Sequence, residues 1–433
     1  ETKPPIAGND ITLSLDYGLQ KIAQEQLDGR RGAIVAIDPQ NGDVLAFVSN
    51  PSYDPNPFIS GISFKDYGAL RDDIDQPLYN RALQGMYPPA STIKPFAGLG
   101  GIHYGLRDWE TTIYDPGYFS LPGDSHRFRD WKRGGHGTVD LKKSIMMSVD
   151  TYYYKLAYEM GIQRLHDWMV RFGFGERTGI DLPNEKSGIM PSPEWKKDRY
   201  DKDWLPGETI SVSIGQGYFL ATPLQVANAT AMTANKGNHI TPHLLKSSEG
   251  AAPVKVISKP DGKIDYNGKP SDWLRMHDAM EDTVKRGTAR RIYTKDYRIA
   301  GKTGTAQVKS IAQGKSYDKS ALDKRHWDHA WFTGFAPVEN PSIALAVLVE
   351  NGGGGSTVAA PIGRELFDYW VVQRNKDPIM PPTPDQLKII KRHKALEKAR
   401  LDAIREAEAK AAAEAEAEAL EEEALSTAAT STP

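Results

Sequence analysis

The sequence predicts an α+β fold, in which a sheet is flanked by separate blocks of helices. Strand-like apolar runs occur in two groups, a pair between residues 32 and 48 and a set of three between residues 302 and 350. Helical patterns fill much of the chain between the two groups. This segregation favours α+β over a doubly wound α/β fold, because a doubly wound sheet alternates strands and helices along the chain.

The N-terminal part is predicted to form a strand, a helix and a hairpin. Apolar and polar residues alternate over 10–16, and apolar residues recur at helical spacing over 19–27. Two apolar runs follow, at 32–37 and 44–48, and Asn41-Gly42 lies between them. Asn-Gly between two strand-like runs is typical of a tight β-hairpin, so the two runs are predicted to pair.

Helices are predicted through the middle of the chain, after a loop-rich stretch at 50–80. They are the helix that carries Ser91 and the helices at 148–160, 162–172, 223–232 and 276–286. Gly161 separates two of these helices, because glycine weakens a helix interior. Thr222 and Pro223 are typical of an N-cap followed by the first helical residue, so they indicate where the fourth helix begins.

The C-terminal part divides into a strand-rich region and a tail. Strands are predicted at 302–308, 330–336 and 343–350, and a four-glycine loop at 352–355 leads to a helix at about 358–373. We therefore predict one large domain over 1–378 and a tail over 379–433. The tail begins with prolines and continues, over 385–425, with charged and Ala/Glu-rich sequence. High helix propensity with few large apolar residues predicts a solvated helix or a disordered extension, with a partner-binding helix as the alternative.

Composition and charge exclude several classes of protein. The 433 residues carry 54 basic and 56 acidic side chains, a net charge of −2, which argues against a nucleic-acid-binding protein. The chain has no cysteine, so disulfides, thiol catalysis and cysteine-ligated metal sites are excluded. No apolar run approaches 18 residues, so no membrane-spanning helix is predicted.

The segment Ser91-Thr92-Ile93-Lys94 offers a hydroxyl and an amine three residues apart. On a helix this spacing puts both side chains on one face, and backbone N–H groups at a helix start can stabilise negative charge. A partly desolvated lysine can accept the proton of a neighbouring serine. Ser91 is therefore the candidate nucleophile and Lys94 the candidate base. For an isolated motif, an N-cap serine beside a solvated lysine is the alternative.

Two further motifs follow in the same chain, Ser148-Val149-Asp150 and Lys302-Thr303-Gly304-Thr305. The patterns S-x-x-K, S-D-N and K-T-G together are the signature of penicillin-binding proteins and class A β-lactamases. Similarity to the family extends to further segments, namely Pro88-Pro89-Ala90, Gly215-Gln216-Gly217, Thr222-Pro223-Leu224-Gln225 and Gly301 to Gln307. The chain resembles the class B penicillin-binding proteins, and most of all the penicillin-binding protein 2 group of the cell-elongation machinery in Gram-negative bacteria.

The resemblance implies both a fold and an activity. We expect the penicillin-binding protein and serine β-lactamase-like fold, in which the first hairpin and the three late strands form one antiparallel sheet beside a helical subdomain, with the active site between them. We expect a D,D-transpeptidase that cross-links peptidoglycan stem peptides through a serine acyl-enzyme formed from D-Ala-D-Ala and that β-lactams acylate. A D,D-carboxypeptidase, a β-lactamase and a non-catalytic penicillin-sensing module are the alternatives.

The second motif is expected to move protons. Ser148 is expected to relay a proton between Lys94 and the leaving nitrogen of the substrate. Asp150 departs from the commoner asparagine, because an ionised aspartate only accepts hydrogen bonds. We therefore expect Asp150 to hold or orient Lys94 through a charge-assisted hydrogen bond. The alternative is that Ser148 and Asp150 only cap the helix that follows.

The third motif is expected to bind the end of the substrate peptide. Lys302 and Thr303 offer a positive charge and a hydroxyl that suit a terminal carboxylate. Gly304 lets the peptide approach and pair with the strand edge. By resemblance, the backbone N–H groups of Ser91 and Thr305 form the oxyanion hole.

Asp115, Asp130 and His136 form a candidate zinc site, because each residue type ligates zinc and all three precede Ser148 closely. The resemblance implies a metal near the active site in some relatives, with a cysteine in the middle of the second motif. That position is Val149 here, so a site of four protein ligands is incomplete. Ordinary hydrogen-bonded loop residues are the alternative, and the resemblance implies no required cofactor. The neighbouring segment 131–133 is interpreted as surface, with contact to a glycan as the alternative.

Partners and location also follow from the resemblance alone. Peptidoglycan stem peptides and β-lactam antibiotics are the expected ligands. A SEDS-family glycosyltransferase and membrane proteins of the elongation complex are the expected partners, with a division-specific role as the alternative. We expect the chain at the periplasmic face of the bacterial inner membrane. Relatives carry a membrane helix and a pedestal before the transpeptidase domain, and neither is predicted in these residues.

Overall fold

The computed structural model describes residues 8–59, 61–249, 254–256, 260–309 and 322–374. The helices of these residues are α1 (Tyr17–Gln26), α2 (Asn56–Ile59), α3 (Phe64–Asp72), α4 (Lys94–His103), α5 (Leu141–Met146), α6 (Asp150–Val170), α7 (Pro193–Tyr200), α8 (Pro206–Val212), α9 (Pro223–Ala234), α10 (Ser271–Lys285) and α11 (Ala360–Asp368). The strands are β1 (Asp10–Leu13), β2 (Gly32–Ile37), β3 (Val44–Asn50), β4 (Ile113–Asp115), β5 (Tyr118–Phe119), β6 (Phe128–Arg129), β7 (Gly137–Val139), β8 (Asn238–His239), β9 (Leu245–Glu249), β10 (Val254–Lys255), β11 (Gly262–Lys263), β12 (Ala300–Ala306), β13 (His329–Ala336) and β14 (Ile343–Val349).

A five-stranded sheet organises the described residues, in the order β12-β13-β14-β2-β3 with every pair antiparallel. It joins the first hairpin to the three late strands, as the resemblance implied, so the α+β prediction is confirmed. Strand β12 is the first strand in this order and pairs only with β13 within the sheet, so it lies at one edge. It starts at Ala300, two residues before the predicted strand. The third motif therefore lies on an edge strand of the sheet.

Both faces of this sheet are covered, which explains the continuous apolar runs of its strands. Successive side chains point to opposite faces of a strand. In β2, Ala33 and Val35 belong to the core shared with the helical block, whereas Ile34 and Ala36 belong to the core shared with α1 and α11. Helices α9 and α10 pack on the first face. The sheet is thus the middle layer between two sets of helices.

Several helix boundaries differ from the predictions for identifiable reasons. The stretch 50–80, predicted as loop, contains the short helices α2 and α3, which bury no residue and so lack an amphipathic pattern. Helix α10 starts at Ser271, before the predicted start at 276, because Trp273 already belongs to the buried stripe. Gly161 has a φ of 77° and breaks α6 as predicted. Thr222 caps α9 as predicted, accepting a hydrogen bond from the Gln225 N–H.

The predicted domain boundary at 378 and the tail predicted over 379–433 lie outside the described residues and stay predictions. Among the residues that the structure describes, none of the helices is both long enough and apolar enough to span a lipid bilayer.

Candidate active site

Ser91 lies in a single 3₁₀ turn, Ala90–Ile93, that leads directly into α4. Ala90 has a φ of 51°, in the left-handed region that a residue with a side chain rarely adopts. Its backbone N–H donates to the Gly215 carbonyl at 2.9 Å. A side chain at position 215 would place its Cβ 2.3 Å from the Ala90 oxygen, so only glycine fits there. Gly215 therefore holds the strained turn that presents Ser91.

Lys94 begins α4 and its side chain is fully buried. Its Nζ lies 2.6 Å from Asp150 Oδ1, 2.8 Å from the Ser148 carbonyl oxygen and 3.3 Å from Ser148 Oγ. Among the described residues, the Lys94 amine forms hydrogen bonds to Ser148 and Asp150 of the second motif and none to Ser91. The prediction that Asp150 contacts Lys94 thus matches the geometry, whereas the lysine is held by the second motif more closely than by the serine on its own turn.

Ser148 lies between α5 and α6 instead of inside the predicted helix 148–160, which begins at Asp150. Its φ is 57°, so it is a second residue near the nucleophile that adopts the left-handed region. The side chain of Asp150 is not the cap of α6. Asp130 Oδ2 accepts hydrogen bonds from the Asp150 and Thr151 N–H groups, at 2.6 and 3.2 Å. The interpretation of Ser148 and Asp150 as mere helix caps is therefore wrong.

Lys302 is fully buried on β12 and connects the third motif to the second. Its Nζ lies 2.8 Å from Ser148 Oγ and 3.0 Å from the Thr303 carbonyl oxygen. Burial holds the pKa of the Lys302 amine well below its usual range, and the nearby positive charge of Lys94 lowers it further. Ser148 Oγ thus lies within hydrogen-bond distance of two amines, from Lys94 and Lys302.

The remaining residues of the third motif line β12 with different exposures. Thr303 is buried, and its hydroxyl lies 2.7 Å from the Thr288 hydroxyl. Thr305 is exposed, and its Oγ1 accepts a hydrogen bond from the Gly355 N–H. The nucleophile turn packs closely on the strand at Gly304, where a Cβ would lie 3.0 Å from Thr92 Cγ2 and would require a shift of a few tenths of an ångström.

The sequence model described as the penicillin-binding protein transpeptidase domain matches residues 32–368. The chain belongs to the penicillin-binding protein transpeptidase family. The matched range contains all three motifs, and the fold and family predictions are confirmed.

Individual members of the transpeptidase family are similar along most of the chain. The peptidoglycan D,D-transpeptidase MrdA of Acinetobacter baumannii is 59% identical over 379 residues, which are 88% of this chain and 56% of that protein. The structure of Pseudomonas aeruginosa PBP2 in complex with WCK 5153 is 49% identical, has a TM-score of 0.77, and is matched over 86% of this chain and 78% of that one. Helicobacter pylori PBP2 in complex with MreC is 37% identical with a TM-score of 0.73, over 84% of this chain and 64% of that one. The chain spans little more than half the length of the curated relatives.

Asp115, Asp130 and His136, the candidate metal ligands, are brought together as a buried cluster in this transpeptidase domain. One ligand atom of each lies within 4.8 Å of the others, and His136 Nδ1 is 2.9 Å from Asp115 Oδ2 and 3.4 Å from Asp130 Oδ1. Val149, at the position where the resemblance implies a cysteine ligand in some relatives, is buried and apolar. The cluster therefore supplies three ligands of suitable type and does not complete a site of four protein ligands.

The carboxylates of this cluster are also hydrogen-bonded within the protein. Asp115 accepts from the Gly117 and His136 N–H groups, and Asp130 accepts from the Lys132 N–H. Burial, together with the charge of Asp150, raises the pKa of Asp130. His136 Nε2 is buried without a hydrogen-bond partner among the described residues. Ordinary loop hydrogen bonds therefore account for the two carboxylates, but they leave one nitrogen of the His136 ring without a partner among the described residues.

Sequence reasoning missed the structural part played by Gly215 and Thr288. In the sequence, Gly215 stands out only because the segment 215–217 resembles the family, and no local pattern reveals its approach to the Ala90 backbone. The available signal was a pair of glycines around one glutamine, which is typical of left-handed backbone, and both have positive φ. Thr288 follows α10 in a segment that carries no recognisable motif, and only the folded structure brings its hydroxyl next to that of Thr303.

Proposed function

We propose that the chain is the catalytic domain of a peptidoglycan D,D-transpeptidase, with Ser91 as its nucleophile. The supporting observation is the convergence of the three motifs: the amines of Lys94 and Lys302 lie 3.3 and 2.8 Å from the single hydroxyl of Ser148. Three unrelated sequence matches would not be expected to place two lysine amines around one serine hydroxyl. The similarity to MrdA of Acinetobacter baumannii supports the same activity.

The charges of the site determine how a proton moves. Asp150 pairs with the Lys94 amine, and the lowered pKa of Lys302 favours its neutral amine. A substrate whose terminal carboxylate binds at Lys302 and Thr303 brings a negative charge that favours a proton on Lys302. Ser148 Oγ contacts both amines. Its hydroxyl can therefore accept a proton from the Lys94 ammonium group and donate its own proton to the Lys302 amine. Lys94 is then neutral and able to act as the base.

The acyl transfer proceeds in two steps from this state. In the first, Ser91 Oγ bonds to the carbonyl carbon of the penultimate D-Ala while Lys94 accepts the serine proton, and the bond to the terminal D-Ala breaks. The proton returns through Ser148 to the leaving amine. In the second step, an amine of a neighbouring stem peptide attacks the ester carbonyl carbon and the bond to Ser91 Oγ breaks. The proton that the amine loses passes through Lys94 to Ser91. Lys94, Ser148, Asp150 and Lys302 thus handle protons and charge, and no cofactor takes part.

The edge strand β12 suits a peptide substrate. A stem peptide pairs with its free edge as an added strand, with Gly304 leaving room for the peptide backbone. The backbone N–H groups of Ser91 and Thr305 are proposed to stabilise the oxyanion of the tetrahedral intermediate. A β-lactam enters in the same way, because its strained amide takes the place of the D-Ala-D-Ala bond.

An assay with a D-Ala-D-Ala donor peptide and a separate amine acceptor tests the activity. The expected products are free D-Ala and a donor–acceptor conjugate, and both should disappear in the Ser91→Ala variant. Release of D-Ala without conjugate would indicate a carboxypeptidase. Rapid loss of label from fluorescent penicillin would indicate a β-lactamase. A stable label with no turnover of the peptide would indicate a sensor.

A zinc ion at Asp115, Asp130 and His136 is a second hypothesis, favoured by the spacing of the ligand atoms and by the approach of His136 Nδ1 to both carboxylates. An ion there would be held by these three side chains and would rigidify the loop next to Ser148. Metal analysis of the purified protein tests this hypothesis. Stoichiometric zinc that is lost in His136→Ala would support it, and protein without zinc would end it.

We also propose that the chain works at the periplasmic face of the inner membrane with proteins of the elongation complex. The complex of Helicobacter pylori PBP2 with MreC supports such a partner, and a SEDS-family glycosyltransferase is the proposed source of the glycan strands. Co-purification of the tagged protein from its cells tests the assignment. Recovery of division proteins instead of elongation proteins would contradict it.

A further inference from the structure

We propose that Trp131 is a positioning residue that holds the strained Ser148 turn and aims the Asp150 carboxylate at Lys94. This inference deepens the proposed function and rests on it. Trp131 is 56% exposed, so by exposure alone it is a surface residue, as the sequence indicated. Its hydrogen bonds, however, go to the two sides of the second catalytic motif.

The turn at Ser148 needs an external restraint. A residue with a side chain in the left-handed region is less stable there than in its usual conformations, and such conformations persist only where the surroundings enforce them. Ser148 has this conformation between the end of α5 and the start of α6. If the turn relaxed, Ser148 Oγ would leave the position in which it contacts both Lys94 and Lys302.

Trp131 bonds to the residues on either side of that turn. Its indole Nε1–H donates to the Met147 carbonyl at 3.1 Å, immediately before Ser148. Its backbone N–H donates to Asp150 Oδ2 at 3.3 Å, two residues after Ser148. The turn is therefore fixed at both ends by one residue from a different loop.

The bond to Asp150 also orients that carboxylate. Oδ2 accepts from the Trp131 N–H, and Oδ1 lies 2.6 Å from Lys94 Nζ. With one oxygen bonded to the Trp131 N–H and the other to the lysine, the rotation of the carboxylate group is restrained from both sides. The preceding residue, Asp130, accepts the Asp150 and Thr151 N–H groups and so attaches the same loop to the start of α6.

The exposed part of the indole ring allows a competing role, direct contact with the substrate. Phenylalanine separates the two roles, because it keeps an aromatic ring and the backbone N–H but lacks the indole donor. Trp131→Phe removes the bond to Met147 and Trp131→Ala removes the ring as well. Tyr114→Ala is the matched control, because Tyr114 is an exposed aromatic residue of the neighbouring strand β4 at 66% exposure.

The first measurement is acylation by a β-lactam, resolved into the dissociation constant of the initial complex and the rate constant of acylation. For Trp131→Phe we expect a roughly five- to tenfold lower rate constant, the equivalent of one hydrogen bond, with an unchanged dissociation constant. Tyr114→Ala should acylate at the wild-type rate. A normal rate constant in Trp131→Phe would overturn the proposal. A change confined to the dissociation constant would assign Trp131 to substrate binding instead.

The second measurement is urea unfolding of a double-mutant cycle with Ser148→Gly. Glycine adopts the left-handed region without strain. In the Ser148 background, loss of the indole bond lets the strained turn relax, and the released strain offsets part of the loss. The Ser148→Gly background has no such strain to release, so Trp131→Phe should lower the unfolding midpoint more there than in the wild-type background. Equal losses in both backgrounds would overturn the proposal. Because unfolding needs no substrate, this result is obtained even if the proposed activity fails, and a wild-type protein that does not acylate counts against the activity alone.

Discussion

Lys302 and Ser148 are joined by a 2.8 Å hydrogen bond from Nζ to Oγ, although they lie on a strand and in a helix–helix turn that are far apart in the sequence. The bond places a fully buried amine next to a hydroxyl that also contacts Lys94. It thereby links the part of the site that is proposed to bind the substrate carboxylate to the part that is proposed to remove the serine proton.

The burial of Lys302 should appear in the pH dependence of stability. Its pKa in the folded protein lies below that in the unfolded chain, so between these two values the unfolded chain binds more protons. The free energy of unfolding therefore rises as the pH increases through this interval. Lys302→Met removes the effect, so the wild type should gain stability relative to the variant over the pH range that ends near the ordinary lysine pKa of about 10.4. Urea unfolding across this range measures it, with Lys21→Met as the control for an exposed lysine, and parallel curves for Lys302→Met and wild type would contradict it.

Two substitutions of Ser148 should separate stability from catalysis. Both Ser148→Ala and Ser148→Gly remove the hydroxyl that connects the two lysines, so both should acylate much more slowly than the wild type. Only glycine adopts a φ of 57° without strain, so Ser148→Gly should be more stable than Ser148→Ala by about 1 kcal/mol. Urea denaturation and acylation kinetics measure the two effects. An alanine variant as stable as the glycine variant would show that the turn is not strained.

The ion pair between Lys94 and Asp150 should show strong coupling. Lys94 is fully buried and the Asp150 side chain is 13% exposed, so Asp150→Ala leaves an uncompensated buried charge and should cost roughly 3 kcal/mol of stability. The double variant Lys94→Met/Asp150→Ala should lose less than the sum of the two single variants. Urea unfolding of all four proteins gives the coupling energy. Additive losses would mean that the pair contributes nothing to the fold.

Gly215 and Gly29 form a matched pair of glycines with positive φ, 71° and 65°. A Cβ at Gly29 meets nothing within 4 Å, so Gly29→Ala should cost about 1 kcal/mol from the backbone conformation alone. A Cβ at Gly215 collides with the backbone of Ala90, so Gly215→Ala should cost roughly 2–4 kcal/mol. It should also slow acylation of Ser91, whereas Gly29→Ala should not. Equal effects of the two variants on stability and acylation would contradict the role given to Gly215.

The sequence predicts the sheet and the three motifs well for physical reasons. Strands β2 and β14 are buried on both faces, so their apolar runs are continuous and their bounds are found almost to the residue. The motif residues are chemically distinctive and their order along the chain is informative. Local patterns thus report burial and chemistry wherever each is concentrated in a short segment.

Other features depend on contacts between distant segments, which no local pattern reports. The left-handed conformations of Ala90 and Ser148 arise because other segments hold them, and neither residue type favours that conformation. The exposed helix α3 buries no residue, so it carries no apolar period. Trp131 is interpreted as a surface residue from the sequence, because no local pattern reveals its hydrogen bonds to Met147 and Asp150.

Intact-mass spectrometry after incubation with penicillin, followed by peptide mapping, tests the central claim most directly. The claim predicts one penicillin adduct per chain, mapped to Ser91, and no adduct in a Ser91→Ala variant with an unchanged urea-unfolding midpoint. An adduct that maps to another residue, or that persists in folded Ser91→Ala, would contradict the assignment of Ser91 as the nucleophile.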